Sequence, residues 1–261
     1  MRKLFAFTGV ALLAASLPAG AITYGQPDGG GHPNVGALLT EFDPGQKEQV
    51  CTGTLISPTV FLTAAHCTAF LEANGLPAFV SFDSEITSQS KFYAGTMHTN
   101  PGYNHSQSDP GDIAVIVFAK AVKGITPAAL PSAGMLDRMK ADGSLGQGSR
   151  FTAVGYGVHE RTNGGGPPSF PFDNLRWVAV SEFNSLTQAW LRQSQVGPKG
   201  DGGTCFGDSG GPNFLGAGAG ETPIVAALTV TGDAACQATN VDYRLDTPAA
   251  RAFLGQFVVL P

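Results

Sequence analysis

Short apolar runs, separated by glycine, proline, asparagine or aspartate, recur along the chain from residue 22 onwards. The runs are rich in β-branched and aromatic residues, which favour strands, whereas the residues between them are typical of tight turns. The runs that we predict as strands are 36–42, 54–64, 78–82, 113–118, 151–158, 175–180 and 224–230. This pattern predicts an all-β protein with many short strands.

No helical period is sustained along the chain, except weakly in two stretches. Residues 185–193 show a weak helical repeat. The segment after Asp246 has a good helix start, with Asp246 or Thr247 as the N-cap and Pro248 in the first turn. We therefore expect a helix at the C-terminal end of the chain.

Two glycine-rich stretches interrupt the strand pattern, and we predict both as loops. They are residues 134–148 and residues 163–171, whose centre reads Gly-Gly-Gly-Pro-Pro. The first stretch is a candidate boundary between two halves of the chain.

The first 21 residues follow a different pattern. Arg2 and Lys3 precede an apolar stretch at 4–17, and the small residues 19–21 follow it. This order predicts a secretory signal peptide that is cleaved after residue 21. A membrane anchor is the alternative, but a bilayer-spanning helix needs about 20 apolar residues and this run is shorter. We therefore expect a secreted, extracellular protein that has no membrane contact once 1–21 is removed.

Composition and charge limit the classes of function. The chain has 261 residues, of which 43% are hydrophobic and 13% charged. This balance allows a globular core and argues against a disordered chain. The formal net charge is −5, and it becomes more negative when the basic leader is lost. A nucleic-acid partner is therefore not expected, because its phosphates would be repelled.

The four cysteines are Cys51, Cys67, Cys205 and Cys236. An even number of cysteines in an exported chain favours disulfides, and four cysteines allow three pairings. Their spacing matches no zinc pattern, because the chain has no Cys-x-x-Cys motif. We therefore expect neither a metal nor a cofactor. Calcium binding is left open, since no compact carboxylate-rich loop is evident.

Three short segments carry residues that can act together in amide hydrolysis. They are LTAAHC around His66, DIAV starting at Asp112, and CFGDSGGP around Ser209. A serine can attack an amide when a neutral imidazole takes its proton and a buried carboxylate fixes the tautomer of that imidazole. The reaction also needs backbone N–H groups that meet the developing oxyanion. Gly207 and Ser209 lie on a glycine-rich turn that can aim two such groups at one point.

These segments, in the order His66, Asp112, Ser209, resemble the motifs of the trypsin/chymotrypsin-like serine peptidases. The resemblance implies two six-stranded antiparallel β-barrels, at 22–132 and 133–261, the second of which includes the C-terminal helix. In this family His66 would be the general base, Asp112 its orienting partner and Ser209 the nucleophile, while Gly207 and Ser209 would form the oxyanion hole. The implied protein is a monomeric endopeptidase that acts on protein or peptide substrates through an acyl-enzyme intermediate.

The family also implies the disulfide pairing and one wall of the substrate pocket. Cys51 and Cys67 correspond to its histidine-loop disulfide, and Cys205 and Cys236 to the disulfide beside the pocket. Tyr243 stands where a tyrosine of the pocket wall is usual.

A further pair implied by the family joins the new N-terminus to the residue before the serine. There, an aspartate equivalent to Asp208 binds the ammonium of a freshly cut N-terminal residue, usually isoleucine. The segment Ile22-Thr-Tyr-Gly resembles the usual Ile-Val-Gly-Gly, with Tyr24 as a departure. Because signal cleavage after Ala21 would create this N-terminus, we expect that no separate propeptide exists and that export itself activates the protein.

Substrate specificity is predicted from the position six residues before the serine, which forms the floor of the primary pocket in this family. That position is Gly203, followed by Thr204, and Phe206 lies closer to the serine. An arginine or lysine of the substrate would lose its hydration without meeting a carboxylate. With Gly232 and Val241 as the other walls, we expect cleavage after small to medium apolar residues.

Two other classes of function share some of these features. An inactive binding protein of the same fold would typically lack a triad residue, and none is missing here. An esterase of the α/β-hydrolase type would carry G-x-S-x-G and another motif order. Asp109 is a nearby competitor of Asp112, but it precedes Pro110 and is better explained as a turn residue.

Overall fold

The computed structural model describes residues 22–162 and 169–261. The predicted signal peptide, and most of the predicted loop 163–171, lie outside the described residues. The strands are β1 (Gln26–Pro27), β2 (Val35–Thr40), β3 (Glu48–Ser57), β4 (Val60–Thr63), β5 (Ala78–Ser81), β6 (Tyr93–Thr99), β7 (Ala114–Phe118), β8 (Arg150–Gly155), β9 (Trp177–Leu186), β10 (Trp190–Ser194), β11 (Pro212–Leu215), β12 (Val225–Gly232) and β13 (Thr239–Arg244). The helices are α1 (Ala65–Ala73), α2 (Met135–Ala141) and α3 (Pro248–Leu254), and short 3-10 turns span Gly197–Lys199 and Gly218–Gly220.

The first half of the described chain forms a closed antiparallel barrel with the strand order β2-β3-β4-β7-β6-β5. Fully buried apolar side chains, such as Leu38, Leu55 and Phe61, fill its interior. Each such side chain stabilises the fold by about 1.5–3 kcal/mol through the area it removes from water. The edges of the sheet are paired with each other, so the barrel leaves no open strand.

The second half forms another antiparallel barrel, which runs β9-β10-β13-β12-β11-β8 and closes through the pairing of β8 with β9. The short β1 of the N-terminal segment also pairs with β9. Phe151 and Phe214 are buried in this half, together with the polar side chains of Asn213, Asn240 and Asp242. The two six-stranded barrels confirm the predicted fold class.

The helices agree with the sequence prediction only at the C-terminal end. In α3, Pro248 occupies the first turn and the Thr247 side chain accepts a hydrogen bond from the N–H of Ala250, as the cap pattern predicts. The stretch 134–148 was wrongly predicted as a loop throughout, because α2 lies in it. This helix is short, but Leu136 is fully buried in a cluster with apolar residues of the second barrel.

The weak helical repeat at 185–193 was wrong. This stretch contains the end of β9 and the start of β10, joined by a tight connection. The apolar spacing arises because β9 and β10 form a hairpin and bury side chains on the same face. The register between the two strands shifts between Arg192 and Gln193.

Two disulfides join distant segments of the chain. Cys51 of β3 is bonded to Cys67 of α1, and Cys205 is bonded to Cys236 in the segment that follows β12. Their Cα atoms lie 6.4 and 5.3 Å apart. Closing such loops stabilises the folded chain chiefly by restricting the unfolded one. Within 22–162 and 169–261, no helix is both long enough and apolar enough to span a membrane.

Candidate active site

The pairing of β4 with β7 brings His66 and Asp112 together. Thr63, at the end of β4, lies opposite Ala114, at the start of β7. Because the strands are antiparallel, the residues just after β4 and just before β7 meet at the same end of the barrel. Nδ1 of His66 lies 2.9 Å from Oδ2 of Asp112, and the backbone N–H of His66 donates to Oδ1 at 2.9 Å.

This double contact fixes both the ring and the backbone of His66. Asp112 is buried, whereas the His66 side chain is 32% exposed. This contact favours the tautomer of a neutral imidazole in which Nδ1–H donates to Asp112 and Nε2, on the far side of the ring, is the accepting nitrogen. The ring is therefore held as a base with its accepting nitrogen available.

Asn100 holds the segment that carries Asp112. Its side-chain amide donates to the carbonyl of Gly111 at 2.9 Å, and its backbone N–H donates to the carbonyl of Ile113 at 3.2 Å. Asn100 thus forms hydrogen bonds to the residues on both sides of Asp112. Sequence analysis missed this residue, because it lies in a loop and carries no motif of its own.

Ser209 lies on a tight turn that is anchored to both barrels. The N–H of Gly210 donates to the carbonyl of Thr229 in the second barrel at 2.7 Å. The carbonyl of Ser209 accepts from the N–H of Thr52 in the first barrel at 2.9 Å, and Sγ of Cys67 lies 3.9 Å from the same oxygen. The residue after His66 therefore contacts the backbone of Ser209.

Gly207 turns its peptide so that its carbonyl points into the first barrel. Its φ of 93° lies in the left-handed region that favours glycine, and an added Cβ would stand 3.0 Å from the Cα of Gly157. The carbonyl accepts hydrogen bonds from the Gln49 amide at 2.8 Å and from the Thr52 hydroxyl at 2.9 Å. These two side chains of β3 were also missed by sequence analysis.

The N–H groups of Gly207 and Ser209 are not used inside the fold. Neither makes a hydrogen bond to any residue of 22–162 or 169–261. Two unengaged donors on one turn beside a half-buried serine can receive the oxygen of a substrate carbonyl. In the same ranges the Ser209 hydroxyl makes no hydrogen bond to His66, and such bonds are often long before a substrate binds.

A cavity of about 250 Å³ opens beside Ser209. It is lined by Thr204, Cys205, Phe206, Ser209, Thr229, Val230, Thr231, Gly232, Asp233, Ala234 and Cys236. Of the predicted pocket residues, Thr204, Phe206 and Gly232 line this cavity, whereas Gly203 and Val241 do not.

The two departures have separate physical reasons. Gly203 is covered by Gln195, whose amide oxygen would overlap a Cβ added at Gly203. Val241 lies opposite Thr231, so the residue of β13 opposite Gly232 is Asn240. Oδ1 of Asn240 accepts a hydrogen bond from the hydroxyl of Thr204 at 2.5 Å. Gln195 therefore packs over Gly203, and Asn240 rather than Val241 lies opposite Gly232.

Tyr243 does not line the cavity either. It is fully buried, and its hydroxyl donates to Oδ1 of Asp109 at 2.9 Å. The same oxygen of Asp109 also accepts a hydrogen bond from the N–H of Gly111 at 3.1 Å. Asp109 is therefore a structural neighbour of the Asp112 loop, as its position before Pro110 predicts.

Comparison with known proteins decides the family. The family model described as Trypsin matches residues 29–252. The chain belongs to the trypsin family. A relative, Achelase-1 of Lonomia achelous, is 28% identical over 198 residues, which cover 71% of this chain and 86% of the relative. Membership of the trypsin family gives the two-barrel fold and a serine-protease type of site.

Asp208, for which the family resemblance implies an N-terminal ammonium as partner, is fully buried. It accepts hydrogen bonds from the N–H of Gly157 at 2.7 Å and of Cys205 at 2.8 Å. Burial raises the pKa of Asp208 to about 7, although both N–H groups lower it. Among the residues that the structure describes, no basic side chain forms an ion pair with it.

Ile22 lies in the uncut chain as a buried residue. Its side chain packs against Trp177 and Ala179, and the following residue, Thr23, exchanges two backbone hydrogen bonds with Gly203. Ile22 has a φ of 63°, which is strained for a β-branched residue. The N-terminal segment therefore lies beside Gly203, which directly precedes Thr204 of the cavity wall.

One group of potential metal ligands lies near the site. Within the described ranges, Cys51, His66 and Cys67 bring their ligand atoms within 4.8 Å of one another. Both sulfurs belong to one disulfide, so the group is not a set of metal ligands.

Proposed function

We propose that this protein is a secreted serine endopeptidase, with His66, Asp112 and Ser209 as its catalytic residues. The observation that carries the proposal is the pair of unengaged N–H groups of Gly207 and Ser209 beside a base that Asp112 orients at 2.9 Å. A binding protein has no need of this combination, whereas amide hydrolysis needs every part of it.

The proposed reaction proceeds through an acyl-enzyme. Oγ of Ser209 attacks the substrate carbonyl carbon while Nε2 of His66 takes the hydroxyl proton. The N–H groups of Gly207 and Ser209 donate to the oxyanion, and Asp112 stabilises the imidazolium. The imidazolium then gives its proton to the leaving amine, and the C–N bond breaks. A water molecule then attacks the acyl carbon while Nε2 of His66 takes its proton. The bond between this carbon and Oγ of Ser209 breaks, the acid product leaves, and His66 returns the proton to Oγ.

Hydrolysis of casein tests the proposal against its alternatives. We expect the purified protein to cleave casein, and Ser209→Ala to lose this activity while its fold, measured by circular dichroism, is kept. An inactive binding protein would leave casein intact in both forms. An esterase would hydrolyse ester substrates and leave casein intact.

We also propose cleavage after small to medium apolar residues rather than arginine or lysine. The support is the cavity volume of about 250 Å³ and the Gln195 amide that covers Gly203. The carboxylate that does line the cavity, Asp233, already accepts hydrogen bonds from the N–H groups of Gln237, Ala238 and Thr239. Profiling with a peptide library tests this, and predominant cleavage after arginine or lysine would contradict it.

Activation is proposed to follow cleavage after Ala21, with the freed ammonium of Ile22 bound to Asp208. A buried carboxylate without a cation is costly, and this ion pair would remove the cost. Cleavage would also remove the carbonyl that makes the φ of Ile22 strained. N-terminal sequencing of the active protein is expected to start at Ile22, and any other start would contradict the proposal. We further propose that the protein acts as a monomer and binds no nucleic acid.

A further inference from the structure

Tyr24 occupies a backbone conformation that its side chain disfavours. Its φ is 54°, in the left-handed region, and its side chain is large and 45% exposed. Such a conformation persists in a non-glycine residue only when surrounding contacts hold it there. The chain keeps a tyrosine at this position, where the resembling motif Ile-Val-Gly-Gly has glycine.

The contact that holds Tyr24 is made with the 3-10 turn Gly197–Lys199. A Cβ added at Gly197 would stand 2.8 Å from both Cε2 and Cζ of the Tyr24 ring, so the ring lies directly against the Cα of Gly197. Gly197 does not have a positive φ, so its backbone conformation does not require glycine. The absence of a side chain at this position instead leaves room for the ring.

A second contact joins Tyr24 to the segment that supports Asp208. The N–H of Tyr24 donates to Oε2 of Glu160 at 3.3 Å. Glu160 lies three residues after Gly157, whose N–H donates to Asp208. Tyr24 therefore contacts two segments. One contains Glu160 and leads to Gly157, which binds Asp208, and the other contains Gly197 and leads to the cavity.

The turn under the ring leads to the cavity. From Lys199 the chain continues to Gly203, which pairs with Thr23, and to Thr204, which lines the cavity. We propose that Tyr24 is a positioning residue. Its ring packs against the turn Gly197–Lys199 and holds this turn to the N-terminal segment, and this contact fixes the cavity wall at Thr204. The inference rests on the proposed function, since the cavity is taken as the pocket for the residue before the cleaved bond.

The test uses two substitutions that address the same contact from opposite sides. Tyr24→Gly removes the ring and relieves the strained φ, and Gly197→Ala inserts a methyl group where the ring lies. Each is expected to raise KM for a short apolar peptide substrate about ten-fold with a smaller change in kcat, because a wall displaced by about 1 Å weakens substrate positioning. Gly197→Ala is expected to add nothing further in the Tyr24→Gly background.

Two matched variants serve as controls. Tyr24→Phe keeps the ring, and the Tyr24 hydroxyl makes no hydrogen bond within the described part of the chain. Gly220→Ala changes a glycine of the other 3-10 turn, where an added Cβ has no neighbour within 4 Å. Both controls are expected to keep the parent KM. A ring that only stabilises the fold would lower the melting temperature in Tyr24→Gly and leave KM unchanged.

Hydrogen exchange separates this inference from the proposed function. In Tyr24→Gly, the peptide spanning 197–204 is expected to exchange about ten-fold faster than in the parent, whether or not the protein hydrolyses peptides. Unchanged exchange overturns the inference, as does an equal rise of KM caused by Gly197→Ala in both backgrounds. Faster exchange in a protein that cleaves no peptide would keep Tyr24 as the support of this wall and reject the peptidase.

Discussion

His32 is expected to make the stability of this protein depend on pH between 6.5 and about 9. Its ring lies between two carboxylates: Nδ1 contacts Oδ1 of Asp28, and Nε2 lies 2.8 Å from Oε1 of Glu221. The side chain of Asp28 is only 1% exposed and accepts a hydrogen bond from Nε of Arg176 at 2.7 Å. This cluster joins the N-terminal segment to Arg176, which directly precedes β9, and to Glu221 in the loop before β12.

The size of the effect follows from the pKa of His32. Burial of the ring lowers the pKa, but the hydrogen bonds and charges of Asp28 and Glu221 outweigh burial and raise the pKa from 6.5 to about 9. A rise of this size corresponds to about 3 kcal/mol of folding free energy as an upper bound. Because the folded pKa is the higher one, this contribution is complete below pH 6.5 and is lost as the pH rises through 9.

Urea unfolding of a Ser209→Ala background, which prevents self-digestion, measures this contribution between pH 6 and pH 10. The parent is expected to lose up to about 3 kcal/mol over this range because of His32, and His32→Gln should show a much flatter profile. Glu221→Gln is the matched control and should shift the midpoint of the loss to lower pH. Parallel profiles for the parent and His32→Gln would refute the reasoning.

Two further predictions concern the candidate site. Asn100→Ala, which removes the amide bonded to Gly111, should lower kcat about ten-fold with little change in KM. Asn104→Ala in the same loop should stay near the parent, and equal losses in both would contradict the positioning role. Asp208→Asn should change stability with opposite signs in the two forms of the chain. Burial raises the pKa of Asp208 to about 7, so the uncut form loses stability as the pH rises from 3.8 to 7, and the asparagine variant is more stable at pH 8. In the form that starts at Ile22 the substitution should destabilise, because it removes the ion pair; denaturant unfolding at pH 8 measures both, and equal signs would contradict the pairing.

The barrel fold could be predicted because most of its strands bury apolar faces. Strand β13 is the informative exception. Its buried positions are Asn240, Asp242, Tyr243 and Arg244, and a hydropathy pattern assigns the three polar ones, Asn240, Asp242 and Arg244, to solvent. They are stabilised by tertiary partners, since Asn213 donates to Asp242 at 2.9 Å and Asp246 pairs with Arg244. Burial holds the pKa of Asp242 well above its usual range.

The parts of the candidate site that lie in short motifs could be predicted from the sequence. The parts that depend on the register between paired strands could not. The motifs name His66, Asp112 and Ser209 directly. Thr204 of the cavity wall is hydrogen-bonded to Asn240, the residue of β13 opposite Gly232, and no local pattern reveals that pairing. Gln195 covers Gly203 from the position just after β10, a strand that sequence analysis did not predict, so its contribution could not be found from the sequence.

The central claim is that Ser209 is a nucleophile activated by His66. Peptide mapping by mass spectrometry, after treatment with a fluorophosphonate that reacts with activated serines, tests this claim most directly. We predict a single phosphonate on Ser209, and no label in the His66→Ala variant under the same conditions. Label on another residue, or equal labelling of Ser209 without the imidazole, would contradict the account.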